Sequence, residues 1–482
     1  MNMALNALAT QGVTASYITA DSRKVGAGSL FLAYPGEHAD GRQFIPQALL
    51  QGAAAVLWEQ SGFEWNSQWQ VPNLPVAGLR KEAGVIADSF YGQPSKQLWM
   101  IGVTGTNGKT SCSHWIAQAM AVLGGKTAVV GTLGNGFPNA LLAAINTTPD
   151  PILLHSMLAD YRKQGAIAVA MEVSSHGLAQ GRVNGVHFDV AVFTNLSRDH
   201  LDYHGDMASY GATKKALFHW QGLRSAVLNM DDDFGREIAG ELSSQGKSVL
   251  TYGLERGDVR GSQLQFNEHG LAMQVDTPFG STLLEAGVVG RFNAYNLLAV
   301  LATLLVSDVE LGHAVNALRS VNSVAGRMQQ IGGGQQPLVV IDYAHTPDAL
   351  EKVLIALREQ ARGQLICVFG CGGNRDKGKR PLMGEVVSRL ADQAVVTSDN
   401  PRHEHPAEII AAITDGMREG YRIEQDRASA IALAVNMAKP GDIVLVAGKG
   451  HEDYQDIHGV KYPFSDQQVV KQALQHYGGK AA

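Results

Sequence analysis

Short apolar runs that end in glycine or polar residues alternate with longer stretches of helical periodicity along most of the chain. This alternation is typical of α/β units around largely parallel sheets, whose buried strands are nearly continuous apolar runs. The strands are predicted at 29–33, 98–103, 166–171, 190–193, 226–228, 338–341, 365–369, 394–396 and 443–446. The predicted fold class is therefore α/β with mostly parallel sheets.

The same pattern divides the chain into segments. With 482 residues the chain is too long for one ordinary domain. The polar stretch 91–96 contains Gly92 and Pro94 and is predicted to be a linker, because glycine and proline interrupt regular structure. An alternating stretch at 264–284 predicts an antiparallel insertion. We predict three domains, at 1–95, 96–327 and 328–482, the last of them Rossmann-like.

Composition narrows the functional classes. The net charge of -6 argues against nucleic acid as a partner, since nucleic-acid binding normally needs a basic face. Cys112, Cys367 and Cys371 form neither an even disulfide framework nor a CxxC pair, which fits a reducing compartment. The longest apolar run, 297–306, is shorter than the roughly 18 residues that span a bilayer. A cytoplasmic enzyme without membrane insertion is the expectation.

One glycine-rich loop predicts phosphate binding. It consists of Gly105, Thr106, Asn107, Gly108, Lys109, Thr110 and Ser111, between a predicted strand and a predicted helix. Such a loop lets backbone N–H groups and the helix N-terminus converge on phosphate oxygens. Lys109 adds a full charge, and the Thr110 hydroxyl is placed to bind Mg²⁺. The strict P-loop motif would have glycine at position 103, where this chain has Val103. A glycine-rich turn with a solvated lysine is the alternative.

Acidic and histidine residues follow two other predicted strands. Glu172 comes directly after 166–171, where it could reach a nucleotide-bound Mg²⁺ or simply face solvent. Polar and ionisable residues are dense at 198–204. This cluster could hold zinc through His176, His200 or His204, assist Mg²⁺, or only cap loops. The neighbouring phosphate loop favours Mg²⁺.

Several motifs together resemble the Mur ligase family. They are TGTNGKTS at 104–111, NTTPD at 146–150, EVSSHGL at 172–178, NLSRDHLDYHG at 195–205, YGATKKALF at 210–218, GRFNAYNLLA at 290–299, GRMQ at 326–329 and DYAHTPDAL at 342–350. The resemblance covers essentially the whole chain. It implies a monomeric, ATP-dependent ligase of cell-wall peptidoglycan synthesis with a UDP-binding first domain, a central ATP-binding domain and a third domain that binds an amino acid.

Within the family, DSR at 21–23 and GEHADGR at 36–42 are similar to the uridine-nucleotide domain of the enzymes that add meso-2,6-diaminopimelate to UDP-N-acetylmuramoyl-L-alanyl-D-glutamate. The resemblance implies contacts to that substrate from Ala20 (where the family has leucine), Ser22, Glu37, His38, Ala39, Asn146, Thr147, Thr148, Ser174, Gln180 and Arg182. It implies ATP-side contacts from Asn293, Asn296, Arg327 and His345.

The resemblance also implies the amino-acid pocket. Asp399, Asn400, Pro401 and Arg402 match the family's diaminopimelate signature, and Arg375, Gly448 and Glu452 are expected to complete the pocket. Diaminopimelate differs from lysine by a second carboxylate, which a guanidinium group can bind through two parallel hydrogen bonds. Arg402 therefore favours diaminopimelate, and Glu452 is expected near the distal ammonium.

The family's catalytic set is expected at Lys109, Glu172, His200 and Lys214. The resemblance implies that Lys214 carries a CO₂-derived carbamate, an N6-carboxylysine, which would bind Mg²⁺ together with Thr110, Glu172 and His200. Lys215 is adjacent, and an ordinary solvated pair of lysines is the alternative. We expect domain closure to assemble the reacting groups and exclude water.

Three rival functions stay open at this point. A related ligase could add glutamate to folate or lysine to the same precursor. A P-loop ATPase or kinase would transfer phosphate to water or an alcohol. A non-enzymatic nucleotide-binding module would leave the cluster of Glu172, His200 and Lys214 unexplained.

Overall fold

The structure, a computed structural model, describes residues 2–37, 39–267 and 270–477. It divides into two compact units. Unit 1 contains the residues up to Thr104 with Leu123–Val192 and Thr213–Ala226, and unit 2 contains Gly105–Val122, Phe193–Ala212 and the residues from Val227 onward. The predicted central segment thus contributes to both units, and the predicted domain boundaries stay a prediction.

The amino-terminal part of unit 1 is a parallel sheet with helices. Its elements are α1 (Met3–Thr10), β1 (Tyr17–Thr19), β2 (Ser29–Ala33), α2 (Ile45–Leu50), β3 (Ala55–Glu59), β4 (Asn73–Val76) and α3 (Leu79–Phe90). The strands lie in the order β1-β2-β3-β4. Leu30 and Leu32 belong to one buried apolar cluster, and Phe31 and Ala33 to another. Both faces of β2 are buried, which explains its unbroken apolar run.

The central part of the chain alternates strands and helices. Its elements are β5 (Trp99–Thr104), α4 (Lys109–Val122), β6 (Thr127–Gly131), β7 (Gly134–Phe137), β8 (Ala140–Leu142), α5 (Pro151–Lys163), β9 (Ala168–Glu172), α6 (Ser175–Ala179), β10 (Val190–Phe193), α7 (Leu201–His204), α8 (Met207–Lys215), β11 (Ser225–Asn229), α9 (Asp233–Ser244), β12 (Ser248–Gly253), β13 (Val259–Asn267), β14 (Gly270–Thr277), β15 (Gly280–Ala286), α10 (Arg291–Val306) and α11 (Leu311–Arg319).

In unit 1, five of these strands lie in the order β5-β9-β6-β7-β8, with β5, β9 and β6 parallel. In unit 2, β13, β14 and β15 form an antiparallel meander. The antiparallel insertion predicted at 264–284 is therefore confirmed, although it begins earlier, at Val259. β12 runs parallel to β13, which the alternating pattern did not predict.

The carboxyl-terminal part of unit 2 contains a six-stranded sheet. Its elements are β16 (Gln329–Gly332), β17 (Leu338–Asp342), α12 (Pro347–Arg358), β18 (Leu365–Phe369), α13 (Lys379–Leu390), β19 (Gln393–Val396), α14 (Pro406–Thr414), β20 (Tyr421–Ile423), α15 (Arg427–Met437), β21 (Ile443–Ala447), β22 (Tyr454–Ile457), β23 (Val460–Pro463) and α16 (Asp466–Gln475). The sheet order is β16-β17-β21-β18-β19-β20, and only β16 pairs antiparallel.

Helices cover both faces of this sheet. Cys367 and Leu445 pack in a cluster with residues of α12, α13 and α14, whereas Ile366 and Val444 pack against α15 and α16. This two-sided burial is typical of a Rossmann-like layer, in which ligands bind at the carboxyl ends of the strands. A ligand-binding site is therefore expected in the loops that follow β18, β19 and β21.

Three local predictions can be compared with the structure: the linker at 91–96, the core cysteines and the lack of a membrane-spanning run. The stretch 91–96 is not a plain linker, because Pro94–Gln97 form a short 3-10 helix after α3 ends at Phe90; the fixed φ angle of proline suits a first helical position. All three cysteines are buried and none is part of a disulfide, as expected of core thiols. Within the described ranges, no helix combines the length and the apolar character needed to cross a membrane.

Candidate active site

The phosphate loop in unit 2 is held by two residues that follow β10. The Thr106 N–H donates to the Asn195 carbonyl at 2.8 Å. The Asn195 side chain accepts from the Asn107 N–H and donates to the Asn107 carbonyl, both at 3.1 Å. The Thr194 hydroxyl donates to the same carbonyl at 2.6 Å. These contacts fix the backbone whose N–H groups would face phosphate.

Both glycines of the loop are required by close approach and by backbone angle. Gly105 and Gly108 have φ angles of 146° and 87°. A Cβ on Gly105 would lie 1.9 Å from the Thr194 hydroxyl oxygen, and one on Gly108 would lie 2.5 Å from Oδ1 of Asn296. Any larger residue would therefore have to displace the loop.

Lys109 and Thr110 open α4, where the partial charge of the helix favours anions. Lys109 Nζ donates to the carbonyls of Gly105 and Thr106, each at 2.8 Å, so the ammonium lies over the loop. Thr110 is buried, and its hydroxyl accepts a hydrogen bond from Arg327 Nη2 at 3.1 Å. Arg327, which the resemblance includes among the ATP-side contacts, therefore contacts the loop itself.

Further predicted nucleotide residues lie near the loop within unit 2. Asn296 Nδ2 donates to Asn293 Oδ1 at 3.0 Å, and both residues are buried on α10. Asn107 Nδ2 donates to Asp348 at 3.2 Å, so the first turn of α12 touches the loop. His345 directly precedes Thr346, the N-cap residue of α12. The Nδ1 atom of His345 is 2.8 Å from the Tyr343 carbonyl.

The Asp199 carboxylate in unit 2 interacts with three basic side chains. Burial opposes its ionisation, yet its pKa is held below the usual value by His345, His200 and Lys379. Its carboxylate accepts from the His200 N–H at 2.9 Å and lies 3.4 Å from His200 Nε2. Burial, with Lys379, lowers the pKa of His345, and the Asp199 carboxylate acts in the opposite direction. Lys379 Nζ donates to the His345 carbonyl at 2.8 Å.

Glu172 is the last residue of β9 in unit 1 rather than the residue after it, and only 1% of it is exposed. Its carboxylate accepts from the Thr132 N–H at 2.8 Å and from the Thr132 hydroxyl at 3.1 Å. The alternative of a charge that simply faces solvent is therefore wrong. The Thr132 hydroxyl lies 3.0 Å from that of Thr147, one of the predicted substrate residues.

Four predicted residues for the muramoyl dipeptide meet beside Glu172 in unit 1. The Thr148 hydroxyl donates to the Glu172 carbonyl at 2.8 Å and accepts from the Ser174 N–H at 3.0 Å. Arg182 Nη1 donates to the Thr148 carbonyl at 2.9 Å. Thr148 thus contacts the main chain of Glu172, and Thr147 is linked to the Glu172 carboxylate through the Thr132 hydroxyl. Asn146 directly precedes Thr147 in the chain.

The predicted uridine-side residues also lie in unit 1. Gln180 Nε2 donates to Glu37 at 2.8 Å, and Arg80 forms an ion pair with the same carboxylate. Ser22 is buried, and Ala20 packs against an apolar cluster of the first sheet. The Ala39 carbonyl accepts from the Gly36 N–H. His38 lies outside the described residues.

Lys214 is buried, with 1% of it exposed, whereas Lys215 is partly exposed. The alternative of a solvated pair is therefore wrong for Lys214, which is the lysine that the motif register favours. Lys214 and Glu172 belong to unit 1, and His200 belongs to unit 2. The joint role of these three residues stays a prediction.

Within the ranges that the structure describes, no three histidine, cysteine, aspartate or glutamate side chains are grouped so that they could hold a metal ion. Zinc takes most of its ligands from such side chains, so the alternative that used His176, His200 or His204 gains no support. Mg²⁺ takes most of its oxygen ligands from phosphates and water. The buried Thr110 hydroxyl within the phosphate loop is the kind of group that fits nucleotide-bound Mg²⁺.

The predicted amino-acid residues come together at the carboxyl ends of β18, β19 and β21. Arg402 has a φ angle of 51°, and its Nη1 donates to the Gly373 carbonyl in the loop after β18 at 2.8 Å. Arg375 is two residues further along that loop. Gly448 must be glycine, because a Cβ there would lie 2.5 Å from Oδ2 of Asp399. Four of the predicted positions therefore share one corner of unit 2.

A buried polar network joins Asn400 to Glu452. Asn400 Nδ2 donates to Glu452 Oε2 at 2.8 Å, and Lys449 Nζ donates to the same oxygen at 2.9 Å. Lys449 also donates to Asn400 Oδ1 at 3.0 Å, and none of it is exposed. The sequence prediction had named Asn400 and Glu452 but had missed Lys449.

His451 follows this network and is packed against Tyr343, with ring centroids 5.3 Å apart. Burial lowers the pKa of His451 to about 3, and the nearby Arg327, Lys449 and His114 act in the same direction. Among the described residues its Nδ1 has no hydrogen-bond partner. A neutral imidazole therefore lies between the phosphate-loop contacts of Arg327 and the amino-acid pocket.

The residues that the sequence prediction missed are Thr194, Asn195, Asp348 and Lys449. A signal existed for most of them, because Thr194 and Asn195 directly follow an apolar strand, and Lys449 stands between two glycines just after another. Polar residues at the carboxyl ends of parallel strands commonly face ligands. Which partner each residue holds could not be inferred, since Asn195 and Asn107 are 88 residues apart.

Three stretches of the chain match descriptions of Mur ligase domains. Residues 14–91 match the description "Mur ligase family, catalytic domain", residues 103–304 match "Mur ligase middle domain", and residues 326–450 match "Mur ligase, glutamate ligase domain". Together these matches span most of the chain and follow the same order as the motifs.

Individual relatives agree. The chain is 56% identical to the UDP-N-acetylmuramoyl-L-alanyl-D-glutamate--2,6-diaminopimelate ligase of Chromobacterium violaceum, over 97% of this chain and 96% of the relative. It is 50% identical to the ligase of the same name from Nitrosomonas europaea, over 97% and 94%. A solved structure of a ligase with that name has a TM-score of 0.70 at 38% identity and covers 96% of both chains. MurF of Thermotoga maritima in complex with ADP has a TM-score of 0.67 at 19% identity, covers 98% of this chain and 99% of that one, and shows the shared fold.

Proposed function

The chain belongs to the Mur ligase family, and we propose that it is the ATP-dependent ligase that adds meso-2,6-diaminopimelate to UDP-N-acetylmuramoyl-L-alanyl-D-glutamate in peptidoglycan synthesis. The observation that carries this proposal is the 56% identity, over nearly the whole chain, to a ligase named for that reaction. Arg402 in a pocket at the carboxyl ends of β18 and β19 supports the choice of amino acid, because a guanidinium group suits a second carboxylate.

The reaction needs activation of a carboxylate, which is a poor electrophile at neutral pH. The substrate carboxylate attacks the γ-phosphorus of ATP in line, forms an acyl phosphate and releases ADP. The amine of diaminopimelate then attacks the acyl carbon, a proton leaves the nitrogen, and inorganic phosphate departs. The task of the protein is to position these groups and to offset the charge on the transferring phosphoryl group.

Lys109 and the backbone N–H groups of the phosphate loop are well suited to hold the ATP phosphates, because Asn195 and Thr194 fix the loop. Thr110, Glu172, His200 and Lys214 would hold Mg²⁺, which supplies positive charge at the phosphates when it is bound. An ammonium cannot bind a cation. The proposed carbamate on Lys214 forms when its neutral amine adds to CO₂ and loses a proton, and it offers anionic oxygen ligands instead.

The UDP-linked substrate is proposed to bind along unit 1. Thr147, Thr148, Ser174 and Arg182 support a place for the D-glutamate end, since they supply hydroxyl and cationic groups around the end of β9, where Glu172 lies. The hydrogen bond from Gln180 to Glu37 links the residues proposed for the dipeptide with those proposed for the uridine end, near the first sheet. Because ATP and UDP-linked precursors are cytoplasmic molecules and one chain supplies all the predicted ligands, we propose a monomeric cytoplasmic enzyme.

A substrate-omission series tests this function. Phosphate release is measured with ATP, Mg²⁺, the UDP-linked dipeptide and diaminopimelate, and then with each component left out in turn. The proposal predicts sustained release only in the complete mixture. Sustained release without the amino acid would instead favour an ATPase or kinase, and release that requires a folate in place of the UDP-linked dipeptide would favour a folate-directed ligase.

A further inference from the structure

We infer that Lys449 is a positioning residue for the amino-acid substrate, because it aligns Glu452 and Asn400 from beneath the pocket without itself touching the ligand. The inference rests on the proposed function, since it concerns the pocket assigned to diaminopimelate. The sequence prediction gave Lys449 no role.

The geometry around Lys449 is that of a fully enclosed charge. The residue is 0% exposed, and its Nζ donates to Glu452 Oε2 at 2.9 Å and to Asn400 Oδ1 at 3.0 Å. The Tyr454 ring lies on another side, with its centroid 5.4 Å from Nζ. A buried ammonium needs such hydrogen bonds and a nearby negative charge to offset its lost hydration. Removal of the ammonium would leave Glu452 Oε2 and Asn400 Oδ1 each without one buried hydrogen-bond donor.

Glu452 uses only one of its two carboxylate oxygens in this network. Oε2 accepts from both Lys449 and Asn400, whereas Oε1 accepts no hydrogen bond within the part of the chain that the structure describes. The Glu452 side chain is 16% exposed, so it reaches the surface of the pocket. Lys449 therefore fixes the carboxylate by one oxygen and leaves the other for a ligand ammonium.

The same network reaches the Arg402 loop through the backbone. Asn400 Oδ1 also accepts from the Asp456 N–H at 2.9 Å, and the Asp456 carbonyl accepts from the Arg402 N–H at 2.9 Å. Arg402 holds a left-handed backbone conformation that needs such support. One buried lysine thus connects the group expected to bind the distal ammonium with the group expected to bind a carboxylate.

A purely stabilising role is a weaker explanation. Replacement of a buried ion pair by apolar residues is often neutral or stabilising, so stability alone gives little reason to keep a lysine here. Orientation of two polar groups in a substrate pocket does give a reason, because misplaced groups lose binding and specificity.

The test compares Lys449→Met with Lys461→Met in the full-length enzyme. Lys461 is an exposed lysine over the same Tyr454 ring, at 4.1 Å, which makes it a matched control. Lys449→Met is expected to raise KM for diaminopimelate about 10- to 100-fold and to leave KM for ATP and for the UDP-linked dipeptide within about twofold. Lys461→Met is expected to leave all three values unchanged.

A second measurement separates orientation from general damage. Wild-type enzyme should prefer diaminopimelate over 2-aminopimelate, which lacks the distal amine, and Lys449→Met should reduce that preference to the level of Glu452→Gln. If Lys449→Met does not fold, Lys449→Gln keeps N–H donors without the charge, and its KM for diaminopimelate should lie above that of wild type and below that of Glu452→Gln.

An unchanged KM for diaminopimelate, or an equal rise for all three substrates, would overturn the inference. Failure of the wild-type enzyme to use diaminopimelate at all would instead overturn the proposed function.

Discussion

The proposed phosphate loop and the proposed amino-acid pocket, both in unit 2, are built in different ways. The loop is seven consecutive residues whose shape depends on two glycines and on hydrogen bonds from Thr194 and Asn195 to its backbone. The pocket is drawn from loops after three strands and is held by buried side chains, above all Lys449, Asn400 and Glu452. A backbone-built site suits phosphate, which every ATP-using relative must bind, whereas a side-chain-built site can change its ligand by a few substitutions.

The largest effect is expected from removal of the one full charge of the loop. Lys109→Ala should lower kcat about a thousandfold, because an electrostatic donor to the transferring phosphoryl group is lost. Phosphate release under saturating substrates measures the effect. Calorimetric binding of the UDP-linked dipeptide serves as the control and should be preserved. Activity within tenfold of wild type would contradict the assigned role of Lys109.

The second prediction concerns the pocket alone. Arg402→Ala should raise KM for diaminopimelate about a hundredfold, since a charge-assisted, two-pronged hydrogen bond is lost, and should leave KM for ATP unchanged. Arg402→Lys keeps the charge but lacks the planar fork, so it should recover only part of the loss. Full recovery by lysine would show that charge rather than geometry matters, and a parallel rise in KM for ATP would show that the two sites are not independent.

The third prediction concerns the hydrogen bonds that support the backbone of the loop. Asn195→Ala removes two hydrogen bonds to the Asn107 backbone and should raise KM for ATP about tenfold, while KM for diaminopimelate stays the same. The effect is smaller than that of Lys109→Ala because Thr194 and the Asn195 backbone still hold the loop. Steady-state kinetics with each substrate varied in turn measures it. A change in KM for diaminopimelate alone would contradict the proposal that this loop binds ATP and that the amino acid binds elsewhere.

The smallest expected effect is on stability, at His451 between the two regions. Its pKa in the folded protein is about 3, below the usual value near 6.5 of an unfolded histidine. Only the unfolded state binds the proton between these values, so this contribution to stability is complete above pH 6.5 and is lost as the pH falls toward 3. The loss between pH 6.5 and 5.5 should be about 1 kcal/mol.

Urea unfolding of wild-type protein and His451→Asn at both pH values isolates this contribution, because other titrating groups cancel in the difference. The variant should lose less stability than the wild type on acidification. An identical loss in both proteins would mean that His451 takes up its proton in the folded state as readily as in the unfolded state.

Much of the fold and part of the site could be predicted from the sequence. The strands at 190–193 and 365–369 were predicted at their observed bounds because buried parallel strands are unbroken apolar runs between polar turns. The phosphate loop was predictable since contiguous residues encode its backbone. The 3-10 helix at Pro94–Gln97 was not, because proline and glycine also mark plain linkers.

The proposed amino-acid pocket rests on family resemblance, and the structure shows only that its residues lie close together. Nothing in the local pattern around Arg402 distinguishes it from a surface arginine, and its contact with Gly373 joins residues 29 positions apart. The pairing of Lys449 with Asn400 joins residues 49 positions apart. Such contacts depend on which strands become neighbours in the sheet, and periodicity does not report that order.

The most direct test of the central claim is mass measurement of the product formed from ATP, Mg²⁺ and the UDP-linked dipeptide with equal concentrations of diaminopimelate and lysine. We expect a single product whose mass has increased by that of diaminopimelate less one water, with one ADP released for each product molecule. A product that carries lysine, or ADP formation without any peptide product, would contradict this expectation.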